Sequence, residues 1–364
     1  MKIIFEKRKS ASKKALFLVP AISFAVSLTL TGILLLIFGA DPVKTYGAMF
    51  KGAFGTQSGF TETLVKAIPL MLTGLGVSLA FKLKFWNIGA EGQLTLGGVA
   101  TAGVILFMNG WIPQPLLLPV AIIAGCLAGA LWAGIPAVLK TSLKVDETLV
   151  TLMMNYVAIL IAGFLYYGPW RDPKGFGFPG SRAFPEYAWL PRIIGRAHIG
   201  IYFAITIAIV LWIVQKRTRW GFELGIIGAS QKAARYQGIA VERNIILAIL
   251  LSGALCGMAG AFEVTAISHR LQQGLSVGYG YTAIIVGWMA QLNPIAVLFV
   301  STLMAGLLTG GDQVQMMMKL PAAMGLVMQG MILFPLLAGS LFNEYHIRLV
   351  RKPRPKAACA EGEA

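Results

Sequence analysis

The chain has 364 residues, of which 57% are hydrophobic and only 13% charged, with a formal net charge of +16. Soluble domains carry about 25% charged residues, so the composition excludes an ordinary soluble enzyme and leaves an integral membrane protein. The Lys and Arg excess sits mainly in short segments between apolar runs, where the positive-inside rule accounts for it and nucleic-acid binding is not needed.

The N-terminus is basic over residues 1–14, and the apolar run Ala15 to Phe38 is too long for a cleaved signal core and long enough to span a bilayer. It stops at Asp41-Pro42. A short outer segment rich in Gly and aromatics is expected to about Phe60, then a span from Thr63 to Phe81 kinked at Pro69. Lys82 and Lys84 mark its cytoplasmic end. Next comes FWNIGAEGQLTLGG (Phe85 to Gly98), where Asn87, Glu91 and Gln93 interrupt apolar sequence beside four glycines. Polar side chains and non-helical backbone are tolerated at membrane depth only when enclosed by protein or lining a wet cavity. This stretch is therefore a candidate pathway wall or re-entrant turn.

Further spans are expected at Leu116 to Leu139 and at 145–167, the latter beginning with Asp146 and Glu147 at a helix N-terminus. Thr148, Thr151, Asn155 and Gly163 make a polar stripe on that helix, suited either to helix–helix hydrogen bonds or to pathway lining. A long polar outer loop, 168–197, carries five Lys and Arg and suits an external docking surface or plain solvation. After the span Ile199 to Val214 comes the longest cytoplasmic loop, in which Ser230 would cap a short helix running to Gln237 and Gly238 would end it. Ile245 to Ser268 is the next span. Its Gly253 and Gly257 have the GxxxG spacing of close packing, as do Gly125 and Gly129.

Thr282 to Ala290 is too short to cross and is broken at Asn293-Pro294. Ile295 to Leu308 crosses, a polar outer segment (TGGDQVQMMMKLP) follows, and Ala322 to Phe342 is the last span. The expected architecture is all-α and polytopic, with about ten membrane segments in two related halves, broken or re-entrant segments in each, and both termini cytoplasmic. The transmembrane domain is expected to cover 15–346, after a basic cytoplasmic N-terminus at 1–14, and 347–364 are expected to form a cytoplasmic, disordered tail. Paired broken segments are the sequence pointer to a transporter's pathway. The second to fifth spans are paired with the seventh to tenth.

Catalytic signatures do not occur: there is no GxxxxGK[ST], HExxH or GxSxG motif. The acidic residues are dispersed. Three cysteines (Cys126, Cys256, Cys359) and three scattered histidines have no metal-site or disulfide spacing. Neither an enzyme nor a metal site is expected.

Four stretches, 62–98, VDETLVTLMMNYVA (145–158), GASQKAARYQGI (228–239) and GYGYTAIIVGWMAQLNP (278–294), resemble permease subunits of bacterial ATP-binding-cassette importers. The branch is the simple-sugar and nucleoside one, related to branched-chain amino acid permeases. The likeness is greatest to the longer permease of purine-nucleoside importers that use a basic-membrane-protein type lipoprotein receptor. It implies a multi-pass protein of the bacterial cytoplasmic (inner) membrane, paired with a second permease as a heterodimer. ATPase subunits dock beneath and carry the ATP and Mg, so this chain holds no cofactor, and a substrate-binding lipoprotein delivers cargo from outside. It also implies a coupling helix in GASQKAARYQGI, with Gly228, Ala233, Ala234, Arg235 and Gly238 as its positions. Small residues there would seat it closely on the ATPase. The glutamate that opens the related loop in many importers is replaced by Ser230 or Gln231.

The expected pathway residues are Asn87, Glu91, Gln93, Asn155, Trp288 and Gln291, because aromatic and amide groups suit a flat base and its edges. Glu91 could instead pair with a backbone amide, Lys82 or Lys84. Purine nucleoside, sugar and riboflavin-like cargo all stay open. The competing reading is an ion-coupled secondary transporter of a small polar solute, for which Glu91 and Glu263 are the titratable candidates.

Overall fold

The computed structural model describes residues 2–7, 13–175, 177–275, 277–318 and 345–350, with helical residues at 327, 330–331, 334–335 and 338–339. It divides into two units, 1–42 with 327–364, and 43–326. In the first, the helix α1 (Lys13–Ile37) covers the expected first span, and the strands β1 (Lys2–Lys7) and β4 (Tyr345–Val350) pair antiparallel. The described residues are mostly helical, as expected, and this short strand pair adds to the helices without displacing them. The basic N-terminus and the start of the tail contain β-prone runs, KIIF and HIRLV, that satisfy each other's backbone groups.

The second unit is helical: α2 (Pro42–Phe54), α3 (Gln57–Lys82), α4 (Ala90–Phe107), α5 (Gln114–Leu143), α6 (Glu147–Tyr167), α7 (Gly200–Arg217), α8 (Arg219–Ala229), α9 (Gln231–Tyr236), α10 (Val241–Phe262), α11 (Tyr279–Met289) and α12 (Pro294–Met318). Among the described residues seven helices are long and apolar enough to cross a membrane, or up to eight if the strongly bent pair α1 and α2 is counted as one span. The expected last span, Ala322 to Phe342, lies largely outside the described residues. Two expected loops are helices instead. The segment before Phe60 forms α2, started by Pro at its first position and burying Thr45, Met49 and Ala53 at four-residue spacing. The polar segment after Leu308 continues α12 to Met318. Its Gly310 lies where a Cβ would meet the Met49 carbonyl oxygen at 2.9 Å, so the glycine serves helix contact rather than a turn.

The lipid-type pattern is plain on α6. Thr151, Asn155, Ala158 and Ala162 are buried, while Leu149, Met153, Leu160 and Phe164 face outward. Small residues inward and large ones outward is the arrangement that packing drives where lipid is the solvent. The centre of the unit is the crossing of α4, α5 and α10. A Cβ on Gly257 would lie 2.2 Å from the Gly125 carbonyl oxygen, one on Gly253 2.4 Å from that of Gly129, and one on Gly97 2.4 Å from Gly257 Cα. The two GxxxG pairs thus face each other, backbone on backbone.

The ends of α3, α5 and α7 that carry Lys82, Lys140, Lys216 and Arg217 lie together with α8 and α9 at one basic end. At the opposite end α10 loosens into a π turn, Glu263–Ser268. The long loop lies across it: Leu190 N–H donates to the Thr265 carbonyl (3.1 Å), Phe184 N–H to that of His269 (2.8 Å), and Ser181 N–H to that of Leu271 (2.7 Å). The loop ends in the hairpin β2 (Arg192–Ile194) and β3 (Ala197–His198). His198 is fully buried there, its Nδ1 accepting from Gly200 N–H, and burial pushes its pKa down to about 4.

Gly257→Ala should cost about 1–3 kcal/mol, because backbone rather than a movable side chain stands where the methyl would go. Gly225→Ala, with nothing within 4 Å, is the neutral control. Thermal unfolding of the detergent-solubilised chain measures both.

Candidate functional site

The NIGAEGQ stretch is a break held open by three other helices, α6, α10 and α11. α3 ends in a Schellman turn: Phe85 N–H donates to the Ala80 carbonyl (3.2 Å), Lys84 N–H to that of Phe81 (2.9 Å), and Lys84 takes the left-handed conformation (φ 57°). Phe85 then packs with Leu79, Ala80 and Leu83, the apolar contact that accompanies such a stop. The chain runs non-helically to Gly89 before α4 begins. Asn87 meets Ser252, midway along α10, so α4 starts beside the middle of its neighbour rather than at the basic end.

A buried break exposes backbone groups that must find partners, and the polar residues supply them. Asn87 Oδ1 accepts from Gly89 N–H (3.1 Å) and from Gln93 Nε2 (2.9 Å), while Asn87 Nδ2 donates to Gln93 Oε1 and Ser252 Oγ, both at 3.2 Å. From α6, Asn155 Oδ1 accepts from Gly92 N–H (2.8 Å), and its Nδ2 donates to the Ile88 carbonyl (2.8 Å) and to Tyr281 Oη (3.4 Å). Thr151 Oγ1 accepts from Ile88 N–H at 3.3 Å. α6 is fixed at its own start by Asp146, which accepts from Thr148 and Leu149 N–H. Chiefly the Leu149 bond holds that carboxyl below the usual range.

Glu91, in the first turn of α4, reaches the second break. Its Oε1 accepts from Gly278 N–H (2.8 Å) and its Oε2 from Gly280 N–H (2.5 Å). Neither Lys82 nor Lys84 is its partner in these contacts: Lys82 Nζ donates to Gln215 Oε1 and Lys84 Nζ to the Ala229 carbonyl. The carboxylate caps α11 from another helix. A Cβ on Gly280 would lie 2.2 Å from Glu91 N, so the approach needs glycine, and Gly278 sits at φ 88°. At 11 residues, α11 is about 16 Å long, half the hydrocarbon thickness of about 30 Å. α11 runs back to the basic end and stops in a second Schellman turn with Gln291 at φ 50°.

The structure thus brings Asn87, Glu91, Gln93 and Asn155 together, each at most 1% exposed. Trp288 lies apart, with its ring centroid 5.7 Å from Trp86 and 6.0 Å from Phe81. Gln291 is exposed at the turn into α12, beside neither. Sequence reasoning missed Ser252, Gly278, Gly280 and Tyr281. The two glycines in GYGY were the available signal.

The loop at the basic end forms α8 and α9. Ser230 Oγ accepts from Ala233 N–H (3.3 Å) to start α9, and Gly238 (φ 73°) ends it, as the sequence predicts. The assignment of small residues to partner contact needs correction. Ala234 is fully buried in the apolar core that also holds Leu83 and Phe85, and a Cβ on Gly228 would lie 2.0 Å from the Lys82 carbonyl oxygen, so Gly228 seats the loop on the end of α3. Ala233, Arg235 and Gly238 face out. Arg235 bonds Glu242 at 2.6 Å, and Tyr236 is 93% exposed.

Glu91→Gln should lower stability by about 1.5–3 kcal/mol, because an NH2 group then faces one of two N–H donors and a charge-assisted bond is lost. The melting temperature in detergent, against wild type, measures it.

The family described as branched-chain amino acid transport system / permease component matches residues 59–337. The glucose ABC transporter permease protein TsgB13 of Haloferax volcanii is 33% identical over 354 residues, 94% of this chain and 92% of its own length. The guanosine ABC transporter permease protein NupP of Bacillus subtilis is 33% identical over 297 residues, 80% of this chain and 85% of its own. The nucleoside ABC transporter permease protein NupB of Lactococcus lactis is 28% identical over 303 residues, covering 80% and 83%. The matched region contains both breaks and the α8–α9 loop, and the chain belongs to the branched-chain amino acid transport permease family.

Proposed function

We propose that this chain is a transmembrane subunit of an ATP-binding-cassette importer that carries a nucleoside or simple sugar into the cytoplasm. Separate ATPase subunits docked on α8–α9 supply the energy. A second, non-identical permease completes the pathway in the bacterial inner membrane, and a lipoprotein receptor delivers the solute. The names of the relatives support the substrate class, since they specify glucose, guanosine and nucleosides.

One geometric observation carries the coupling role. α9 is a six-residue helix, opened by the Ser230 cap and followed by Gly238, whose one buried residue, Ala234, lies in the same apolar core as Leu83 and Phe85 at the start of the first break. Its outer face offers Ala233, Arg235 and Tyr236 to a partner. A push on α9 is therefore delivered through packed side chains to the segment that positions Asn87 and Glu91. Interiors at native packing density transmit such displacement rather than absorb it.

The double variant Tyr236→Ala, Arg235→Ala removes exposed side chains and should leave the fold intact. In membranes carrying the second permease, the ATPases and the receptor, uptake of radiolabelled guanosine or glucose should fall at least about tenfold, equal to about 1.4 kcal/mol of lost coupling. Copurification of the ATPase should weaken in parallel. Uptake that persists without any ATPase subunit would overturn the reading.

A further inference from the structure

At the end opposite the coupling loop, the long loop is fastened to the end of α10 through one histidine. His269 follows the π turn in the left-handed conformation (φ 49°), which His and Asn adopt more readily than most residues. Its carbonyl accepts the Phe184 N–H (2.8 Å), and both of its ring nitrogens are engaged. Nδ1 lies 3.0 Å from the Thr265 carbonyl oxygen, which also accepts the Leu190 N–H at 3.1 Å. Nε2 lies 3.2 Å from Nη2 of Arg192 in β2. The ring is stacked on Trp189 of the loop, with centroids 4.0 Å apart and planes 18° from parallel.

These partners fix the protonation state. A carbonyl oxygen only accepts, so Nδ1 carries the hydrogen, and a guanidinium only donates, so Nε2 is bare. The contacts therefore require neutral imidazole in one tautomer. A further proton can go only to Nε2, where it ends the Arg192 bond and sets two cations against each other. No carboxylate among the described residues bonds the ring to compensate. The charges that act on it are Arg192 and Arg196, and Arg196 is itself paired with Glu62 at 3.0 Å. Arg270, next in the chain, is exposed. Glu263, which opens the same π turn, makes neither ring contact. The Trp189 face attracts a cation, but that attraction is weaker than the loss of a guanidinium bond with like charges in contact. Partial burial first, then the two arginines, hold the ring's pKa below its ordinary 6.5, against the opposing bond to Thr265.

We infer that His269 is an acid-released clasp: with Nε2 bare it ties the loop from Phe184 to Arg192 to the end of α10, and a proton on Nε2 lets the loop go. The closed clasp takes up that proton less readily than a freed histidine. Its stability is therefore present in full above about 6.5 and is lost as the pH falls through the closed ring's lower value. His198, in the same hairpin, does not share this window, because burial keeps it neutral down to about 4. The device holds whatever the cargo is. Only the side from which the proton comes, outside the cell, rests on the import reading above.

The test is amide hydrogen exchange of the full-length chain in lipid nanodiscs between about pH 8 and about pH 5, corrected for the intrinsic rate. In wild type, peptides covering 181–190 and 265–272 should exchange evenly above about 6.5. Below it they should exchange up to about tenfold faster per pH unit, the limit for one linked proton. His269→Asn keeps a donor, suits the left-handed backbone and cannot titrate, so its exchange should stay level across that range. Arg192→Gln changes an exposed residue and should shrink the wild-type rise, because the closed ring then titrates nearer its ordinary value. The ring itself, followed by NMR in imidazole-labelled wild type, should titrate below 6.5. A ring value at or above 6.5 overturns the inference, as does wild-type exchange that ignores pH. So does a rise that survives in His269→Asn or stays undiminished in Arg192→Gln. ATPase-independent uptake would defeat the import reading alone and leave the clasp standing.

Discussion

The described structure of residues 43–326 depends on one carboxylate. Glu91 lies in the first turn of α4, where the dipole of its own helix favours negative charge, and it accepts two hydrogen bonds from the N-terminus of α11, at Gly278 and Gly280. Two helix N-termini therefore point at the same anion. Burying a carboxylate costs several kcal/mol, which isolated contacts would not offset. Two charge-assisted bonds at about 1.5–3 kcal/mol each, with favourable dipoles on both sides, bring the balance near zero or below. The favourable terms and the burial cost are large and opposed, so losing either set of partners is expensive.

This arrangement makes the two breaks a single element. The first opens where α3 reaches the basic end, and the second where α10 reaches the opposite end. They meet at Glu91. Movement of one N-terminus must carry the other or abandon the carboxylate. The apolar core that holds Ala234 of α9 also holds Leu83 and Phe85 beside the first break, so the α8–α9 loop and the break share one packed core.

Much of this was legible in the sequence. Polar residues in an apolar run single out Asn87, Glu91, Gln93 and Asn155, and GxxxG spacing picks out the faces of α5 and α10. Ser230 and Gly238 bound α9 by cap chemistry alone. The partners of Glu91 were not legible, because they are backbone amides 187 and 189 residues away that any sequence carries. Nor was the inward turn of Ala234 and Gly228, since a small residue suits both a partner surface and a close internal approach. α2 was hidden because glycines and aromatics mask its four-residue spacing. The end of α12 was hidden because Gly310 reads as a turn when it is a contact.

The central claim is that Glu91 joins the two breaks, and amide hydrogen exchange tests it most directly. Peptides covering 85–93 and 278–290 should be compared between wild type and Glu91→Gln. The account predicts that exchange accelerates in both regions together, at Gly278 and Gly280 as well as around residue 91. Acceleration confined to 85–93, with 278–290 exchanging as in wild type, would contradict it.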